Sequence, residues 1–158
     1  MYRIIQECAE DHAEVEALYD TCFAPGREAL SSYRLRDGVP PVAGLCRVAR
    51  DDLDIVAGAV RFWPVRVAQA EALLLGPIAV HPTRQGEGLG ALLMEEGLQA
   101  AVQARWSRVL LVGDAPYYAR FGFARLDAVR MPPPTNPARV LGWGSWDGLA
   151  GAVTRWGG

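Results

Sequence analysis

The stretch from Leu73 to Ala101, LLLGPIAVHPTRQGEGLGALLMEEGLQAA, constrains this chain more than any other. Its apolar run, Leu73 to Val80, has strand length and is too short to span a membrane. His81-Pro82-Thr83 stops it, three glycines follow (Gly86, Gly88, Gly90), and a helical pattern begins at once. A strand, a glycine loop and a helix start together make an anion-binding device. The first N–H groups of a helix have no partner within it, and the helix dipole favours negative charge there. Glycines let a phosphate approach the backbone closely. The reading is a phosphate-bearing ligand at residues 85–90.

Three readings of that loop compete. It is a glycine turn that binds nothing, a dinucleotide site, or a cradle for another phosphate ligand. Gly86, Gly88 and Ala91 fit G-x-G-x-x-A, and Asp114 lies where a ribose-binding acid could sit. Against the dinucleotide, five residues separate Val80 from Gly86, whereas that fingerprint follows its strand immediately. A Walker loop is excluded by the absence of Gly-Lys-Ser/Thr.

The rest of the chain supplies a single-domain frame, residues 1–158. A first strand is read at Tyr2–Cys8. A helix follows from about Asp11 to Phe23, started by an Asp11/Glu14 capping box, with Val15, Leu18, Tyr19 and Cys22 on its apolar face. A second helix is read at Arg27–Leu35. Strands at Val42–Arg50 and Ile55–Val67 form a hairpin, and Pro64 implies an edge, bulge or break. Pro77 cannot donate to a ladder, so pairing of the central strand should fail near Gly76-Pro77. The helix after the glycines runs to about Arg105, with Leu89, Leu93, Met94, Leu98, Val102 and Trp106 inward. A strand at Arg108–Val112, a short helix at Tyr117–Phe121 capped by Gly122, and a strand from Phe123 follow. Met131–Pro137 is a loop, Val140–Trp143 a candidate strand, and the Trp-rich tail is the least readable part.

Hydrophobic residues are 51%, an ordinary globular share, and the net charge of −2 points away from nucleic acid. There is no lysine, which rules out a catalytic lysine or Schiff base. Cys8, Cys22 and Cys46 lack metal-ligand spacing and read as small buried hydrophobes of a reducing compartment. No apolar run approaches about 20 residues and no leader is legible, so a cytoplasmic protein without a membrane or metal site is expected.

Two signatures then carry a resemblance. Val80-His81-Pro82-Thr83-Arg84-Gln85-Gly86-Glu87-Gly88-Leu89-Gly90 resembles the acetyl-CoA motif of the GNAT N-acetyltransferases, Q/R-x-x-G-x-G/A. Gly113-Asp114-Ala115-Pro116-Tyr117-Tyr118-Ala119-Arg120-Phe121-Gly122-Phe123 resembles that family's second signature, in the form of one bacterial subgroup. The resemblance implies an α/β (α+β) fold: a mixed, mostly antiparallel sheet of six to seven strands, flanked by about four helices, with a bulged fourth strand splayed from the fifth. It implies acetyl-CoA as cofactor. Ile78 and Val80 would pair with its pantetheine arm, and the backbone of Gln85, Gly86, Glu87, Gly88, Leu89 and Gly90 would take its pyrophosphate. It implies acetyl transfer to a primary amine of a small molecule or a protein, with the Val80 N–H at the oxyanion and Tyr118 as general acid. A catalytically silent CoA-binding module is the alternative. Glu28 and Asp114 are candidate acceptor-binding residues, and with His81 the candidate bases, each competing with a capping or solvated role. Phe62 and Trp63 line the acceptor pocket or the core. The resemblance leaves a homodimer open.

Overall fold

The structure, a computed structural model, describes residues 1–23 and 31–157. It divides into two compact units, 1–27, 41–62 and 76–104 in one, 28–40, 63–75 and 105–158 in the other. Two strands, β3 (Val56–Val67) and β4 (Ala70–Val80), run from one unit into the other.

In the first unit β1 (Arg3–Gln6) pairs antiparallel with β2 (Arg47–Arg50), and β2 with the first half of β3, as far as Val60. Helix α1 (His12–Cys22) buries Val15, Leu18 and Tyr19 in a cluster with Val48, Val56, Ala59 and Ala79. The start of α1 differs from the expected capping box. Asp11 stands at the N-cap position of α1, where it also ends a preceding turn, but its side chain caps no N–H of α1; its carboxylate accepts from the Cys8 N–H at 2.9 Å. Glu14 reaches across to the Arg50 guanidinium at 3.0 Å. A cation on the neighbouring strand thus captures the carboxylate that local spacing assigned to the helix start. Helix α3 (Leu89–Gln103) buries Leu89, Leu93, Met94, Gly97, Leu98 and Ala101. Val102, expected inward, is exposed, because the small Gly97 and Ala101 rotate the inner face away from it. A Cβ at Gly97 would lie 2.7 Å from the Phe62 ring, so this glycine lets helix and strand approach.

In the second unit β4 pairs parallel with β5 (Arg108–Val112), recorded at Leu73↔Val109 and Leu74↔Leu110. β5 pairs with β8 (Val140–Gly144), and β8 with the two-residue β6 (Ala124–Arg125). The tail contributes β9 (Gly151–Arg155), which pairs with β3 from Val65 and, in parallel, with β7 (Val129–Arg130). Among the described residues there are nine strands, against the expected six to seven; β9 comes from the tail that carried no pattern, and the two-residue β7 stands just before the expected loop. Pro64 lies beyond the pairing of β3 with β2, which ends at Val60, and before its pairing with β9, which starts at Val65. The core joins Val65, Val67, Leu74, Leu110, Val140 and Val153, with Trp63 and Trp146 packed on it. Short helices α2 (Ser31–Arg34) and α4 (Ala115–Tyr118) complete the described elements. The expected start of the second helix at Arg27 lies outside the described residues, and the expected strand at Val42–Arg50 opens with a helical turn at Ala43–Leu45. Among the described residues no helix is long and apolar enough to cross a membrane.

Candidate active site

The end of β4 and the start of α3 lie in the first unit, joined by the loop that carries Gly86 and Gly88. Gly86 and Gly88 have φ of +86° and +81°, a region that favours glycine. No protein atom lies within 4 Å of where a Cβ would stand at either. These glycines are therefore not there to relieve crowding within the chain; they leave open room at the backbone. Gly88 is the N-cap of α3, and the helix ladder opens with the Leu92 N–H donating to the Gly88 carbonyl at 3.2 Å. The N–H groups of residues 89–91 are thus the unladdered donors of a four-turn helix, the place where an anion is stabilised. Gln85 to Gly88 are exposed, Gly90 is half-buried, and the Leu89 side chain belongs to the core.

The strand leading to this loop is held from its flank. The buried Tyr19 hydroxyl donates to the Pro77 carbonyl at 3.1 Å. The His81 N–H donates to the Ala57 carbonyl at 2.8 Å, the edge that faces β3. Residues 78 and 80 alternate to the opposite edge. There the Val80 carbonyl accepts from the Cys22 thiol at 3.4 Å and the Gln85 amide at 3.3 Å. Pairing of β4 with β5 is recorded no further along than Leu74, so Ile78 and Val80 lie beyond it, as the Gly76-Pro77 interruption predicted. Gly76 takes φ +141° at the point of departure. None of the anchors from Tyr19, Cys22 and Gln85 was legible from spacing, since each links α1 or the loop to a carbonyl that carries no sequence signal.

Tyr118 lies in the second unit at the end of α4. Its ring stands edge-on to Tyr117, with centroids 4.9 Å apart, and packs near Phe121 and Phe123. Gly113 is a glycine because of it: a Cβ there would lie 2.4 Å from the Tyr118 ring. Burial, and then the neighbouring Tyr117, push the Tyr118 phenol above its ordinary 10.0. Tyr117 is exposed, with the Arg120 guanidinium 4.5 Å over its ring.

The remaining candidates divide clearly. Asp114 caps α4, accepting from the Tyr117 N–H at 3.2 Å. His81 caps the turn after β4, its Nδ1 accepting from the Thr83 N–H at 3.2 Å. Phe62 is fully buried under Gly97, and Trp63 packs on the second unit's core. Glu28 lies outside the described residues. Of the cysteines, Cys46 is buried and its thiol is pushed up to about 11, Cys22 is half-buried, and Cys8 is exposed, contrary to the buried reading. Cys8 precedes a helical turn rather than facing the core.

Comparison with known proteins gives a concordant result. Residues 43–125 match the family model described as an acetyltransferase (GNAT) domain. The chain is 35% identical over 115 residues to the uncharacterised N-acetyltransferase YhbS of Escherichia coli K12, covering 72% of this chain and 68% of that protein. The fold superposes on the crystal structure of E. coli YhbS in complex with CoA with a TM-score of 0.84 at 29% identity, over 98% of this chain and 89% of the other. It superposes on a GNAT family acetyltransferase from Brucella melitensis in complex with acetyl-CoA with a TM-score of 0.75, also at 29% identity, over 99% and 97% of the two chains.

Proposed function

Because the chain belongs to the GNAT acetyltransferase family, we propose that it transfers an acetyl group from acetyl-CoA to a primary amine. The observation that carries the cofactor is the open glycine loop at the start of α3, with vacant backbone space at Gly86 and Gly88. The crystallised relatives with CoA and acetyl-CoA support the same ligand. In this reading the N–H groups of residues 85–90 hold the pyrophosphate and Ile78 and Val80 take the pantetheine arm. Acetyl-CoA supplies an activated thioester.

The chain's own residues would then do three things. The Val80 N–H donates to the oxyanion that develops on the thioester carbonyl, and Cys22 and Gln85, which donate to the Val80 carbonyl, brace the next peptide unit along the chain. Tyr118 donates its phenolic proton to the leaving sulfur. A thiolate is basic enough for a phenol to serve, and the raised phenol stays protonated at neutral pH. The attacking amine must be neutral and so must lose a proton. Asp114 and His81 are engaged as caps, which favours water as the acceptor of that proton over either side chain. The acceptor is a small-molecule or protein amine; among proteins of this fold, one is the ribosomal-protein-S18-alanine N-acetyltransferase of E. coli.

The test is thiol release from acetyl-CoA across a panel of small amines, amino-terminal peptides and lysine peptides. Amine-dependent thiol release supports the enzyme. Tight acetyl-CoA binding without release for any acceptor favours the silent CoA-binding module, and failure to bind acetyl-CoA overturns both.

A further inference from the structure

The glycine loop contains one charged side chain, and it has the wrong sign. Glu87 places a carboxylate in the middle of an anion cradle, where it would repel a diphosphate. That carboxylate is held by a chain of polar contacts that includes Tyr2, the residue before β1. The Tyr2 hydroxyl donates to Glu87 Oε1. The Arg84 guanidinium donates to the Tyr2 hydroxyl at 3.4 Å, with its charged carbon 5.8 Å from the ring centre. Arg84 is itself fixed, donating to Asp51 Oδ2 at 2.6 Å. Asp51 is buried, and its other oxygen accepts from the Leu53 and Ile55 N–H groups at 2.9 and 3.0 Å, so it is a rigid post. The bond to Glu87 also raises the Tyr2 phenol, which keeps it a donor.

We propose that Tyr2 and Arg84 are positioning residues for the cofactor loop, holding the Glu87 carboxylate aside so that the N–H groups at the start of α3 stay open to a diphosphate. This rests on the acetyl-CoA reading above and adds to it residues outside the glycine motif. A tether that only stiffened the fold would not depend on the charge at residue 87; this one does.

The experiment is a double-mutant cycle of Tyr2→Phe and Glu87→Gln, read by calorimetric binding of acetyl-CoA and of acetyl-pantetheine, which lacks the diphosphate. Tyr2→Phe should weaken acetyl-CoA about fivefold with Glu87 present and by less than about 1.5-fold with Glu87→Gln, the coupling expected of contacting groups. Acetyl-pantetheine should bind all four proteins alike. Equal losses in both backgrounds, no loss in either, or a parallel loss of acetyl-pantetheine would overturn the proposal. Failure of the unsubstituted protein to bind acetyl-CoA would sink the cofactor reading, and this inference with it. Thermal melting checks each variant, and where Tyr2→Phe does not fold, Arg84→Gln carries the same cycle.

Discussion

At the scale of the residue, the packing of Tyr118 and its proposed role as general acid are compatible rather than alternatives. Its ring is packed over Gly113 and among Tyr117, Phe121 and Phe123, and that packing is what fixes a phenol for proton donation. Tyr118→Phe keeps the ring. It should lower kcat about tenfold or more while leaving the acetyl-CoA dissociation constant unchanged, as a lost general acid does. Steady-state thiol release and calorimetry measure the two quantities; unchanged turnover would remove Tyr118 as the acid. The sign of the pH effect follows from its environment. A phenol raised above 10.0 remains a donor to higher pH, so the alkaline fall of kcat should lie above 10.0 in the native enzyme and be missing in the variant. Tyr118 itself was legible because its motif is local. Cys22 and Tyr19, which brace the carbonyls of Val80 and Pro77, were legible only as helix-face residues.

At the scale of the element, α3 combines an open N-terminal end with a tightly packed middle, and glycine serves each differently. Gly88 at φ +81° has open space around it, so a methyl group there is penalised by backbone conformation alone. Gly88→Ala should destabilise by about 1–2 kcal/mol, the cost of placing a side chain in the left-handed region, and should weaken acetyl-CoA binding by shifting the loop. Gly97 has ordinary φ but no room. Gly97→Ala should cost about 1–3 kcal/mol through overpacking against Phe62 and leave the loop geometry intact. Denaturant midpoints together with acetyl-CoA affinities separate the two. A Gly97→Ala protein as stable as the original would show that Phe62 can move aside. Both glycines lay in a readable helical pattern, but only a neighbouring strand could distinguish a glycine needed for φ from one needed for space.

At the scale of the whole molecule, the buried carboxylates and the tryptophans are segregated among the described residues. Among the described residues the arginine pairs with a buried carboxylate are Arg61–Glu7, Arg50–Asp11 and Arg84–Asp51, all in the first unit. All five tryptophans, Trp63, Trp106, Trp143, Trp146 and Trp156, lie in the second. The Arg50 guanidinium, then the Cys8 N–H, hold Asp11 below its ordinary 3.8, and the Ile55 N–H leads the same effect at Asp51. A carboxylate with a lowered folded value binds its proton more tightly unfolded. Its stabilisation is therefore complete above 3.8 and is lost as pH falls below it. Acid should loosen the first unit first, so amide exchange in β1, β2 and α1 should rise below about pH 4 before tryptophan fluorescence changes. Simultaneous changes would show that the two units respond to acid as one. Asp11→Asn should flatten this acid dependence. By itself, the sequence determined the strand–loop–helix, the run of β5, the Tyr118 motif and the family, because each is written in contiguous residues whose spacing is its own geometry. Tertiary structure decided the rest: β7 and β9, the capture of Glu14 by Arg50, the exposure of Val102, and the Tyr2–Glu87 tether. In each of these a partner distant in sequence competes with the local pattern, and the bond that wins is set by which segments the fold brings together.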